Sequence, residues 1–123
     1  MKGLAHNLGL FASSAERHYA KRVSEQMLDL FHKERRERPE LNGWALYEAV
    51  AARRLGDKPR ISATEVVKRA EESFADWPVE RPVRFRDVVH YLIFDEYVHS
   101  GKAREATKTN MGAVVARIIP EEL

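Results

Sequence analysis

The sequence predicts an all-α protein: a single compact domain of about five helices with a long N-terminal helix. Three observations carry that expectation. Apolar residues recur at steps of three and four along most of the chain, the spacing of one helix face. Stop and start signals punctuate it at Pro39, Gly56, Ser62, Pro78, Ser100-Gly101 and Pro120. The composition, 44% apolar and 33% charged over 123 residues, is that of an ordinary globular domain with one core.

Residues 1–14, "MKGLAHNLGLFASS", form an arm ahead of the helical domain expected over 15–123. Its weak apolar patch is broken by His6, Asn7 and Gly9, so it reads as a segment docking on the body rather than a secretion signal. Ser13-Ser14 then cap a helix whose stripe is Ala15, Tyr19, Val23, Met27, Leu30 and Phe31. It should run from about Ala15 to Arg38 and stop before Pro39, because a residue preceding proline avoids the helical region. Its last turns, "HKERRER", are too charged for a core and are expected to project or to meet a partner.

A second helix reads from Trp44 to Leu55, with Gly56 as its stop. The third opens on Ser62-Ala63-Thr64-Glu65, the spelling of a capping box, and buries Val66, Val67, Ala70, Phe74 and Trp77 before Pro78. "PVERPVR" (78–84) is an extended connector fixed by two prolines. "FRDVVHYLIFDEYVH" (85–99) is apolar on nearly all sides, which predicts a central helix, although its β-branched and aromatic content also allows a strand pair. Thr107 or Thr109 caps the last helix, through Met111, Val114, Val115 and Ile118.

Several function classes fall away on composition. Without cysteine there is no disulfide, thiolate zinc site or cysteine nucleophile, which suits a cytoplasmic protein. No apolar run reaches the ~20 residues of a membrane span. There is no Gly-rich phosphate loop and no Gly-x-Ser-x-Gly elbow. Net charge is +2, but unevenly placed: residues 1–60 carry 12 Lys/Arg against 8 Asp/Glu, and residues 61–123 carry 9 against 11. That permits phosphate contact without demanding it.

Two segments are spelled in the manner of a helix-turn-helix, whose second helix enters the major groove. The first is "ARRLGDKPRISATEVVKRA" (52–70), with Arg53, Arg54, Lys68 and Arg69 as candidate DNA contacts and Lys58 and Arg60 nearby. The second is "GKAREATKTNMGAVVAR" (101–117), with Lys102, Arg104, Lys108, Thr109, Asn110 and Arg117. There the cations would neutralise phosphates, while Thr109 and Asn110 would set register or read a base. Both turns are longer than the standard elbow, so the pattern carries over no family residues. The expected function is a small DNA-binding or DNA-associated regulator, a homodimer through its N-terminal helix, bound to double-stranded DNA.

The alternative is a helical protein-interaction domain without nucleic acid, using the stripe of helix 15–38 and the "ELNGW" approach to helix two. A small enzyme or metal-binding bundle comes third. Three carboxylate–His pairs stand three residues apart: Asp29/His32, Asp87/His90 and Glu96/His99. The last two point to nearly opposite sides of one helix and cannot share a site. Asp95, Glu96, Tyr91 and Tyr97 could line a pocket. No cofactor is expected.

Overall fold

A computed structural model describes residues 14–73, 82–100 and 107–123, the side chains of 107–110 excepted. Its elements are α1 (Ser14–Glu37), α2 (Gly43–Leu55), α3 (Ala63–Ser73), α4 (Phe85–His99) and α5 (Thr107–Ile118), with no strand among the described residues. The expected starts hold to within about a residue, as do the expected ends of α1, α2 and α4. Phe74 and Trp77, the end of the expected stripe of the third helix, lie outside the described residues, as do the arm 1–13 and the loop carrying Lys102 and Arg104.

Of the expected α1 stripe, Val23, Met27 and Phe31 face inward, Tyr19 and Leu30 are half-buried and Ala15 is exposed, while Ala20, outside that expectation, is buried. Ala20, Val23, Met27 and Phe31 are fully or almost fully buried. The stripe continues one step further than its apolar residues do. Glu34, three residues beyond Phe31, is only 2% exposed. This corrects the expectation that "HKERRER" holds nothing of the interior. The Glu34 carboxylate accepts from Arg53 Nε of α2, and Arg38 Nη1 lies 3.6 Å away. A buried carboxylate is tolerated only when it is paired in this way.

Gly56 ends α2 as expected. Its φ of 78° and ψ of −161° lie in a region that is essentially glycine's, and its N–H reaches Ala52 O at 3.1 Å. Nothing lies within 4 Å of where a Cβ would be, so only backbone strain opposes a side chain here. Gly56→Ala should therefore cost about 1–3 kcal/mol in urea denaturation. An unchanged midpoint would mean the turn relaxes into another conformation.

At α3 one half of the capping box forms. The N–H of Glu65 donates to Ser62 Oγ at 3.1 Å, but the Glu65 carboxylate turns to Arg69 Nε at 3.0 Å. An unforeseen cap starts α4, where the Asp87 carboxylate accepts the Arg84 N–H at 2.9 Å. The all-round apolar α4 is indeed the central helix and touches each of the other four. Val88, Val89, Leu92 and Ile93 are wholly buried. Gly112 of α5 lets that helix approach α4 closely, since an added Cβ would come within 2.6 Å of His90 Cε1.

Phe31 and Phe85 stack with centroids 4.6 Å apart, while Tyr19 meets Tyr97 at 4.9 Å. So α1 and α4 run antiparallel. The start of α1 lies at the end of α4, and the α2–α3 loop comes to the same pole through Arg60 and Asp95. At the opposite pole Arg86 donates to Ile119 O at 2.7 Å, and Tyr47 OH donates to Leu123 O at 2.8 Å.

Candidate functional site

Three depressions adjoin one another at the pole where α1 begins and α4 ends. The first, of about 200 Å³, is lined by Ser14, Arg17, His18 and Lys21. His18 passes from it into a second, of about 420 Å³, which also holds Tyr19, Arg22, Glu96, Tyr97 and Ser100. Glu96 and Ser100 are shared with a third, of about 370 Å³, whose far wall is Lys58, Pro59, Arg60 and Ile61. They adjoin as one furrow, whose first part is lined by α1 alone. Its walls are the first turns of α1 and the α2–α3 loop, and its floor is the end of α4.

The helical period explains the α1 wall. Residues 14, 18, 21, 22 and 25 fall opposite the buried stripe, and three of those five are Lys, Arg or His. The loop wall exists because seven residues, 56–62, separate α2 from α3. That length lifts Lys58 and Arg60 over the end of α4 instead of closing a tight elbow.

Carboxylates on the floor are already engaged. Glu96 accepts from Tyr19 OH and from Arg54 Nη2 (3.0 Å), both at the same oxygen, Oε1. Asp95, 5% exposed, holds Arg60 Nη2, and His99 Nδ1 lies 2.9 Å from the Asp95 carbonyl oxygen. Lys21 and Lys58 form no ion pair with a described residue, and the Arg22 guanidinium lies over the Tyr19 ring at 5.5 Å. The lining therefore carries Arg17, Lys21, Arg22, Lys58 and Arg60, of which Arg60 is engaged by Asp95, while Glu96 is answered by Arg54.

Burial, and then its hydrogen bond to the Glu96 carboxylate, pushes the Tyr19 phenol well above the ordinary range. The folded state thus favours the protonated phenol. Its contribution to stability is complete below the ordinary phenol pKa of ~10 and is lost as pH rises through the higher folded value. A tyrosinate absorbance titration should show Tyr19 ionising late, together with loss of helix. Tyr19→Phe should remove the part of the alkaline destabilisation that begins above pH ~10. An unchanged alkaline profile in that variant would contradict the assignment.

The residues expected to touch DNA are differently placed. Arg53 is held by Glu34 and by Glu37 (2.7 Å) of α1, and Arg54 is held by Glu96. Arg69 is held by Glu65, with Tyr91 OH at 3.4 Å. Of the four in the first elbow, Lys68 alone is exposed with no ion pair to a described residue. In the second segment Lys102 and Arg104, and the side chains of Lys108, Thr109 and Asn110, lie outside the described residues, while Arg117 is exposed in the last turn of α5.

Asp95, Glu96 and Tyr97 do line the furrow, as the sequence suggested, while Tyr91 faces Arg69 instead. Arg17, His18, Lys21 and Arg22 were not foreseen as a site. They come from a helix whose opposite face is core, and only the fold brings them against residues 58–60. No group of three or more metal-ligating His, Asp or Glu side chains occurs among the described residues. No protein-family model matches the chain, and no curated protein or solved structure is significantly similar to it.

Proposed function

We propose that this protein is a non-catalytic, nucleic-acid-associated module that holds the phosphate backbone without reading base sequence. The observation that supports this reading is the furrow. Four cations besides Arg60, which answers Asp95, line three adjoining depressions from two segments distant in sequence, and Glu96 is matched to Arg54. Phosphate contacts position a protein on nucleic acid, whereas base contacts specify.

The α2–α3 unit does not favour sequence readout. On the side chains it offers, Lys68 and Arg69 stand against Glu65, Glu71 and Glu72, and the Thr64 hydroxyl donates to Glu48 at 2.6 Å. A protein-interaction domain would use an exposed apolar face. Among the described residues the one exposed large hydrophobic side chain is Val98. The α1 stripe that might otherwise join two copies or a partner is committed to the chain's own core, and Leu41 and Trp44 of the "ELNGW" approach pack against that core.

Fluorescence anisotropy with labelled 20-mers of mixed sequence, in strands and as duplex, tests the reading. Binding at about micromolar affinity is expected at low salt, with log K falling linearly in log salt and little change between sequences. No binding to any of them at ~50 mM salt would end the proposal.

A further inference from the structure

Resting on that reading, we infer that the occupant of the furrow is a single strand of nucleic acid rather than a duplex. The first argument is shape. Arg22 of α1 and Lys58 and Arg60 of the loop stand on either side of the end of α4, and Arg17 and Lys21 line the adjoining depression on α1. A strand lying in the furrow is contacted from both sides. A duplex is read by an element that projects into its groove, and the helix placed to do so, α3, carries more acid than base on its outer side.

The second argument is the chemistry of the lining. Proteins that hold single strands combine a cationic groove with flat side chains on which unpaired bases stack. Imidazole rings and guanidinium planes serve that purpose as well as larger aromatics. The furrow has one in each part. His18 is exposed between the first and second depressions, the Arg22 plane caps the Tyr19 ring in the second, and His99 is exposed in the third.

The third argument is hydrogen bonding on the floor. Glu96 uses Oε1 for both of its partners, which leaves Oε2 without a hydrogen bond from a described residue. A carboxylate oxygen so placed accepts an exocyclic amino group of cytosine, adenine or guanine alike, which favours unpaired bases without reading a sequence. In a duplex those groups are paired; in a splayed strand they are free.

The test is direct comparison of one labelled mixed-sequence 20-mer, free and annealed to its complement, at ~50 mM salt. The single strand should bind at least 10-fold more tightly. His18→Ala, an exposed position on α1, should weaken single-strand binding by on the order of 10-fold, the loss of one stacking platform, and leave the duplex unaffected. A duplex that binds as well as or better than the strand overturns this inference and leaves the phosphate-binding reading standing. Failure of both probes to bind overturns the two together. Equal loss for strand and duplex in His18→Ala would show that the ring is not a platform for unpaired bases and remove the stacking argument.

Discussion

Replacing Phe31 with alanine should remove about 3–5 kcal/mol of stability, a large part of the ~5–15 kcal/mol that holds a domain of this kind together. The ring is 0% exposed and belongs to an aromatic group that joins three helices: Phe31 of α1 against Phe85 of α4, and Phe85 against Tyr47 of α2 at 5.8 Å. Truncation loses the transfer energy of the ring and leaves a cavity whose walls are helices pinned elsewhere. Tyr47 is fixed by its bond to Leu123, and Phe85 by the cap at the start of α4. The site therefore has little freedom to collapse. The expected signature is a fall in the melting temperature of roughly 10–20 °C with an unchanged denaturant m-value. Phe31→Leu should recover most of the loss, since it keeps most of the volume. A Phe31→Ala loss below 1 kcal/mol would show that α1 does not pack on α4 in this register.

The fold was legible for reasons that differ from helix to helix. The period of Val23, Met27 and Phe31 is local information, and so are the Gly56 stop and the all-round apolar surface of α4. Glu34 was legible in principle, because it falls on the same line as Phe31. A carboxylate at a stripe position ordinarily signals solvated surface, and the inter-helix partner that sustains its burial, Arg53, lies nineteen residues later. The same non-local pairing hid the site. "ARRLGDKPR" reads as a dense cationic patch, yet Arg53 and Arg54 face carboxylates from α1 and α4. Charge density in sequence says nothing about which cations have partners. Which cations, such as Lys21 and Lys58, have no ion pair with a described residue is a property of the fold.

That distinction leads to the second large effect. Neutralising Lys21, Arg22 and Lys58 together, each to glutamine, should weaken single-strand binding on the order of 100-fold at ~0.1 M salt and lower the salt slope by about 2. The arithmetic follows from counterion release, ~0.7 per phosphate contact on a single strand, for three contacts. All three side chains are exposed, so the helical signal and the thermal midpoint should change little. Neutralising Arg53 and Arg54 should do the reverse. Glu34 is 2% exposed and would be left without its inter-helix partner, and Glu96 would lose one of its two. Breaking a buried pair from one side is costlier than the pair is worth, because the remaining charge stays desolvated. The double variant should unfold at markedly lower denaturant while its folded fraction binds with nearly the parental salt slope. If instead Arg53 and Arg54 carry the slope, and the furrow variants bind normally, then the first elbow is the nucleic-acid contact and the furrow is not.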